Sequence, residues 1–132
     1  MILVDTSVLI DYLRGSNAAH CDKFNSVIAM NIPYGITVHV YQELLQGCLT
    51  EKDFMSLKEY LDTITFYSER GGRETYARAA FLYYQCRRKG ITVRSSTDCL
   101  IVQIAIENGL KLLHNDRDFD HIAKVEKRLE FF

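Results

Sequence analysis

Four carboxylates lie far apart in the sequence, and two of them follow short apolar runs. Asp5 comes directly after the run 2–4, and Asp116 comes a few residues after a second run at 110–113. Unbroken apolar runs of this length are typical of strands that are buried on both faces. In parallel α/β sheets, ligand sites gather beyond the carboxyl ends of the strands. Asp5 and Asp116 are therefore placed where chemistry usually occurs in such folds.

Asp98 and Glu43 extend this set of oxygen ligands. Asp98 is near the start of an otherwise apolar helix, where a carboxylate must be desolvated, paired, capping or metal-bound. Glu43 stands among apolar neighbours and would complete the set if it faced the same pocket. Hard oxygen ligands without thiolate or imidazole suit Mg²⁺ or Mn²⁺. A divalent ion would relieve the mutual repulsion of the carboxylates, and one or two ions could bind a scissile phosphate and activate water.

Each of these carboxylates also has an ordinary structural explanation. Asp5 and Asp98 could serve only as helix N-caps, and Glu43 could be a solvated residue on a helix. Asp116, with Asp118 and Asp120, could simply occupy a turn and the first turn of a helix, where the dipole favours acids. No single carboxylate decides between the two explanations.

The elements that would position these side chains alternate between strand and helix. This order predicts an α/β fold with a central, mainly parallel sheet flanked by helices. We expect strands at 2–4, 36–38, 64–67 and 110–113, with a last edge strand at 129–132 and a turn at Pro33 and Gly35. We expect helices from Asp5–Ser7 to residue 14, at 18–30, at 40–47, from Thr50, at 73–89, at 95–108 and from Asp116 to about 124. The helix at 95–108 is apolar around most of its circumference, so it should be deeply buried.

Composition limits the class of protein. A chain of 132 residues without repeats or linkers indicates one domain, residues 1–132. No apolar run is long enough for a membrane span, and the start lacks the basic region of a signal peptide. Four scattered cysteines without a CxxC pair are expected to be reduced, in a cytoplasmic protein. The formal net charge of −1 means that any RNA-binding surface must come from local clustering or from a metal-loaded site.

Taken together, four segments resemble the PIN domain and, within it, the VapC-type toxins of toxin–antitoxin pairs. They are ILVDTSVLID at 2–11, YQEL at 41–44, TDCLI at 97–101 and LLHNDRDF at 112–119, and they span essentially the whole chain. The resemblance implies a PIN-like fold and a Mg²⁺- or Mn²⁺-dependent endoribonuclease. It also implies a homodimer that is held inactive by a cognate VapB-like antitoxin. Residue by residue, it maps the four family acids to Asp5, Glu43, Asp98 and Asp116.

The resemblance also suggests auxiliary residues. Thr6 matches a hydroxyl residue beside the first acid, where it could orient a ligand or water, and Asp118 is an auxiliary ligand candidate. Arg94 and Ser95, just before Asp98, are candidates for phosphate binding. His114 departs from the family pattern, which often has Thr or Ser at this place. It could assist in phosphate binding or be a tolerated substitution.

Two alternatives to a ribonuclease toxin remain at this point. A nuclease of the same fold could process nucleic acid without a toxic role, or the chain could be a catalytically silent binding module.

The sequence also leaves open whether several aromatic residues are buried or exposed. Tyr83, Tyr84 and Phe54 could belong to the core, to an antitoxin groove or to a dimer face. His39 and His121 are expected to be structural or surface residues.

Overall fold

The centre of the protein is a four-stranded parallel sheet. The structure is a computed structural model that describes residues 1–132. The strands are β1 (Ile2–Val4), β2 (Tyr34–Ile36), β3 (Thr65–Phe66) and β4 (Lys111–Leu113). They lie in the order β3-β2-β1-β4, and every neighbouring pair is parallel. The predicted α/β class with a parallel sheet is confirmed.

The protein has seven helices: six connect the strands, as parallel strands require crossover connections, and the seventh follows β4. They are α1 (Thr6–Leu13), α2 (Ala19–Ala29), α3 (Val38–Gln46), α4 (Glu51–Leu61), α5 (Arg73–Arg88), α6 (Ser96–Glu107) and α7 (Arg117–Ala123). Every helix limit that the sequence predicted agrees with the structure to within two residues, and the end of α4, for which no limit was predicted, is Leu61. None of the helices is both long and apolar enough to pass through a membrane.

The two elements that carry Asp5 and Asp98 are anchored in the core. All three residues of β1 are buried, and β1 pairs with both β2 and β4. In α6, seven consecutive residues from Cys99 to Ala105 are buried, as the sequence predicted. Both elements belong to one hydrophobic cluster of 29 residues. A packed core of this kind holds the carboxylates at the sheet edge in fixed positions.

One predicted boundary is wrong, and two side chains explain why. The strand expected at 36–38 is instead Tyr34–Ile36, and the helix expected from residue 40 begins at Val38. Thr37 has extended backbone and caps α3, because its side-chain oxygen accepts a hydrogen bond from the Val40 N–H at 3.3 Å. Gly35 is inside the strand and not in a turn. A Cβ there would lie 2.4 Å from the carbonyl oxygen of Thr65, so β3 can approach β2 closely only at a glycine.

The predicted edge strand at 129–132 is reduced to one bridge. Phe131 pairs with Leu112 in parallel orientation, outside β4. The N–H of Leu112 donates to the carbonyl of Glu130 at 2.8 Å, and the N–H of Phe132 donates to Leu112 at 3.0 Å. This bridge places Phe131 beside the carboxyl end of β4.

Candidate active site

Asp5 is buried at the carboxyl end of β1 and also caps α1. Its Oδ2 accepts hydrogen bonds from the Ser7 N–H at 3.0 Å and from the Ser7 hydroxyl at 2.6 Å. The Ser7 oxygen in turn accepts from the N–H of Asn115 at 2.9 Å, which ties the end of β1 to the loop after β4. Burial raises the pKa of Asp5, with a contribution from the charge of Asp116, against the lowering effect of the Ser7 hydrogen bonds. Capping and a role in the site are therefore compatible for Asp5.

Three carboxylates converge between α6 and α7. Oxygens of Asp98, Asp116 and Asp118 lie within 4.8 Å of one another, so they could hold one metal ion. Asp98 is in the first turn of α6, Asp116 caps α7, and Asp118 is buried in the first turn of α7. The Asp116 Oδ1 accepts from the Asp118 N–H at 3.0 Å, which fixes the turn. The sequence treated Asp118 only as auxiliary, whereas the structure puts it in the centre of the acidic cluster.

Asp98 carries the strongest electrostatic signature of the site. Its pKa is raised to about 7 by burial first and then by the negative charges of Asp5, Asp116, Asp118 and Glu43. Four neighbouring carboxylates therefore raise the pKa of Asp98, and two of these, Asp5 and Glu43, lie outside the cluster formed by Asp98, Asp116 and Asp118. Perturbation of this kind is common at functional sites.

Arg94 lies across two of these carboxylates. Its Nη2 is 2.8 Å from Asp116 Oδ1, and its Nε is 2.9 Å from Asp118 Oδ2. Its backbone N–H donates to the same Asp118 oxygen at 3.1 Å. Burial alone would raise the pKa of Asp118, but these contacts with Arg94 bring it below its usual value. Arg94 thus serves within the chain as a counter-ion for the cluster, and its 61% exposed side chain still faces solvent.

Glu43 reaches the site from α3 and is held by Thr6. The Thr6 hydroxyl donates to Glu43 Oε2 at 2.8 Å, across 37 residues of sequence. Glu43 is exposed at the rim of the acidic cluster. The hydroxyl predicted to orient a ligand or water therefore orients a candidate ligand side chain. Ser95 is the N-cap residue of α6, but its side chain makes no capping hydrogen bond.

His114 is packed into the base of the site. Its ring lies 5.1 Å from the Phe119 ring and 4.5 Å from the Phe131 ring, between centroids. Nδ1 accepts a hydrogen bond from the Asp116 N–H at 3.1 Å, and Nε2 lies 3.5 Å from Asp120 Oδ1. Burial lowers the pKa of His114 and so favours the neutral ring that an accepting Nδ1 requires. The imidazole thus holds the backbone of Asp116, as a smaller hydroxyl residue could.

A cavity of about 700 Å³ opens beside Asp116. Besides Asp116, its lining includes Ser7, Arg94 and His114, the two cations Lys23 and Arg117, and the acid Asp120. Sequence reasoning missed Ser7, Lys23 and Arg117. Ser7 could have been recognised from its position two residues after a capping aspartate. Nothing in the sequence near Lys23 indicated that α2 would bring it to this cavity.

The chain belongs to the PIN domain family, whose model matches residues 2–125. It is similar to Ribonuclease VapC11 of Mycobacterium tuberculosis and to VapC ribonuclease Mb1587 of Mycobacterium bovis. Each is 29% identical over 126 residues, which are 95% of this chain and 93% of the relative. The resemblance stated from the sequence is therefore confirmed.

Solved structures share the fold. One is VapBC2 from Rickettsia felis bound to a DNA fragment from its promoter, with a TM-score of 0.75, 19% identity and coverage of 100% of this chain and 98% of that one. Another is VapBC-1 from nontypeable Haemophilus influenzae, with a TM-score of 0.73, 18% identity and coverage of 100% and 97%. FitAcB from Neisseria gonorrhoeae has a TM-score of 0.71 at 19% identity, over 100% and 96% of the two chains.

Proposed function

We propose that the protein is a Mg²⁺- or Mn²⁺-dependent endoribonuclease and the toxin of a VapBC-like toxin–antitoxin pair. In this proposal residues 1–132 act as one cytoplasmic domain, and Asp5, Glu43, Asp98 and Asp116 are the catalytic acids. The observation that carries it is the close approach of Asp98, Asp116 and Asp118 at the carboxyl edge of the parallel sheet, with the charges of Asp5 and Glu43 acting on Asp98. Curated relatives named as VapC ribonucleases support the same function across nearly the whole chain.

The residues present fit a hard divalent cation. Asp98, Asp116 and Asp118 offer oxygens close together, and neither thiolate nor imidazole is among them. Arg94 compensates part of the charge at Asp116 and Asp118, but Asp98 keeps a pKa of about 7. A cation bound there would supply positive charge for the scissile phosphate and lower the pKa of an attacking water.

The chain's own residues prepare this site. Ser7 fixes the carboxylate of Asp5, and Thr6 fixes that of Glu43, through the hydrogen bonds described above. His114 and the Asp118 N–H hold Asp116 from two sides. These contacts pre-orient the acids before substrate arrives, which reduces the reorganisation needed during reaction. Lys23 and Arg117 line the adjacent cavity, where they can attract RNA phosphates.

An exposed apolar surface supports a protein partner. A cavity of about 360 Å³ between α1, α3 and α4 is lined by Ile10, Leu13, Leu49 and Leu57 and ends at Glu43. Apolar side chains that remain exposed beside a site are typical of an interaction surface. We propose that a VapB-like antitoxin covers this surface, since solved neighbours of this fold include VapBC assemblies.

A second apolar surface, on α5, supports the proposed homodimer. Phe81 and Tyr84 are 57% and 43% exposed, and their rings stack with centroids 5.7 Å apart. Ala77 and Ala80 are exposed beside them and leave room for another helix. Aromatic residues of this kind are favoured in the cores of interfaces.

The decisive experiment is cleavage of total RNA by the purified protein in EDTA, Mg²⁺ or Mn²⁺. We expect cleavage only with metal and none by Asp98→Asn. The matched control is Asp22→Asn, an exposed aspartate on α2, which should cleave like the wild type. Metal binding and folding without cleavage of any RNA would favour the silent binding module. Cleavage without toxicity on expression, or toxicity that a small neighbouring gene does not relieve, would favour a processing nuclease.

A further inference from the structure

A second cavity lies beside the acidic cluster and borders the α5 surface proposed for the homodimer, with which it shares Ala80. It has a volume of about 340 Å³ and lies between α3, α5 and α6. Its walls include His39, Tyr76, Ala80, Tyr83, Thr97 and Leu100. It shares no lining residue with the larger cavity that contains Lys23 and Arg117.

The position of this cavity relates it to the reaction centre. Thr97 directly precedes Asp98 in the first turn of α6. His39 is four residues before Glu43 on α3, and residues at this spacing lie on the same side of a helix. The cavity is thus next to two of the candidate catalytic acids. A group bound in it would neighbour whatever is bound by the carboxylates.

The chemistry of the walls favours a flat, uncharged, polar-edged ligand. Tyr76, Tyr83 and His39 provide rings for stacking, and Ala80 leaves space between the tyrosines. Thr97 brings a hydroxyl group that can donate or accept a hydrogen bond. No lysine or arginine is among the lining residues, and the nearby guanidinium of Arg87 lies 5.8 Å from the centroid of the Tyr83 ring, in a cation–π contact with that ring. Unpaired RNA bases are recognised in this way, by aromatic stacking together with hydrogen bonds to the base edges.

His39 adds an unused hydrogen-bonding group. Its Nδ1 is buried and has no hydrogen-bond partner in the chain. A buried polar atom without a partner is costly and rare enough to need an explanation. The torsion of an imidazole ring about Cβ–Cγ is broad and roughly two-fold, so ring rotation can present this nitrogen to a ligand in the cavity.

We infer that this cavity binds one unpaired nucleobase of the RNA, next to the scissile phosphate. This inference rests on the proposed ribonuclease function and adds to it a binding site for one base of the RNA, formed by α3, α5 and α6. The two cavities then have different tasks: the cationic one attracts backbone phosphates, and the aromatic one selects an exposed base. A base inside a continuous duplex is stacked and cannot enter, so a paired site is rejected.

The test is a binding titration with single-stranded RNA that is not cleaved. Hexamers of U, A, C and G are titrated, in Mg²⁺, onto Asp98→Asn protein, and binding is followed by fluorescence anisotropy. Adding Tyr83→Ala should weaken binding of the preferred hexamer about tenfold, the scale of one lost base–aromatic stack. Tyr83→Phe keeps the ring and should bind within about twofold of the parent. Tyr60→Ala, on α4 and outside the cavity, is the matched control and should leave binding unchanged.

Abasic substitution makes the test specific for a base. Hexamers that lack the base at one position are titrated onto both proteins. At one position the Tyr83→Ala effect should disappear, because the base that stacks on the ring is already missing. An equal effect at every abasic position, no effect on any hexamer, or no RNA binding at all would overturn the base site.

Two further readouts separate this inference from the proposed function. Cleavage of total RNA by the wild-type protein tests the nuclease independently, so a base site can fail while the nuclease stands. Sedimentation of each variant shows whether Tyr83→Ala changes the oligomeric state. A change would assign the cavity to contact between copies of the chain and would overturn the base site. Thermal melting confirms that each variant is folded.

Discussion

Asp98 is the residue at which the negative charges of the site act most strongly on one another. Its pKa is raised from 3.8 to about 7 by burial and by the neighbouring carboxylates. A carboxyl group with a higher pKa in the folded than in the unfolded chain binds its proton more tightly when folded. Its stabilising effect is therefore present below pH of about 4 and is lost as the pH rises to about 7. Above that pH the ionised Asp98 opposes folding unless a cation is bound.

We predict that Asp98→Asn raises the melting temperature of the metal-free protein at pH 8. A gain of roughly 3–6 °C is expected, since the amide removes one repelled charge. At pH 4 the difference between the two proteins should nearly vanish. Mg²⁺ should raise the melting temperature of the wild type at pH 8 more than that of the variant. Differential scanning calorimetry in EDTA and in Mg²⁺ measures both effects.

Asp22→Asn is the matched control for this prediction, because Asp22 is exposed on α2, does not belong to the three clustered carboxylates and does not line the cavity beside them. It should change neither the melting temperature nor its response to Mg²⁺. A wild type that is more stable than Asp98→Asn at pH 8 in EDTA would contradict the electrostatic account of Asp98.

Thr6 controls the position of Glu43 through one hydrogen bond of 2.8 Å. We predict that Thr6→Val lowers the cleavage rate at saturating RNA by about tenfold. Loss of a hydrogen bond to a charged group costs about 1.5–3 kcal/mol, and part of this cost should appear as a higher activation barrier. Thr6→Ser keeps the hydroxyl and should retain most of the rate. Single-turnover cleavage with RNA in excess of its KM measures this. Loss of the rate in Thr6→Ser but not in Thr6→Val would contradict this and indicate a packing role for the methyl group instead.

At the residue scale, the sequence indicated the acids but not their partners. Asp5 and Asp116 were identifiable because each follows a short apolar strand, and Asp98 because it begins an apolar helix. The contact between Thr6 and Glu43 spans 37 residues, so no local pattern reports it. The same holds for Arg94, which meets Asp116 and Asp118 more than 20 residues away. Tertiary structure decides such pairs.

At the scale of elements, helix α1 connects the site to the proposed antitoxin surface. Asp5 caps this helix, Thr6 and Ser7 form its first turn, and Ile10 and Leu13 are 37% and 44% exposed further along it. We predict that Leu13→Glu weakens binding of the antitoxin at least tenfold, since a charge would be buried against an apolar partner. RNA cleavage by the free variant should be unchanged. Isothermal titration with the purified antitoxin measures the affinity.

Leu49→Glu should weaken antitoxin binding for the same reason, because Leu49, in the loop after α3, lines the same cavity as Leu13. Met30→Glu is the matched control, since Met30 is an exposed apolar residue at the end of α2 and outside this cavity. Equal antitoxin affinity for Leu13→Glu and for the wild type would move the partner to another surface.

The elements themselves were largely predictable, and the exceptions have physical causes. Apolar patterns, capping residues and glycines located both ends of six helices, and the start of α4, to within two residues. The boundary between β2 and α3 was misjudged because Ile36, Thr37 and Val38 are all β-branched, whereas Thr37 serves as a helix cap. The tail pairs with β4 only at Phe131, opposite Leu112. Capping and pairing depend on neighbours that propensity alone does not describe.

At the scale of the whole molecule, the formal charge of −1 does not indicate an RNA-binding protein. The structure arranges the charges locally instead: three carboxylates meet at the sheet edge, and Lys23 and Arg117 line the cavity beside them, together with Asp116 and Asp120. Composition could not report this arrangement. It is consistent with an active site that needs a cation at its centre and attracts RNA from one side.

The outer face of α5 is the surface that a second copy would cover. We predict that the wild type is a dimer and that Phe81→Glu converts it to a monomer, because two glutamates would face each other in an apolar interface. Phe81 is 57% exposed, so the substitution should not disturb the core of one chain. Phe54→Glu, on α4, is the matched control and should remain dimeric. Sedimentation velocity over a range of concentrations distinguishes the two states.

If the proposed dimer brings two active sites to one RNA, the monomeric variant should keep cleavage of short RNA but lose affinity for long RNA. A wild-type monomer, or a dimer that survives Phe81→Glu, would remove α5 as the interface and leave its aromatic face for RNA.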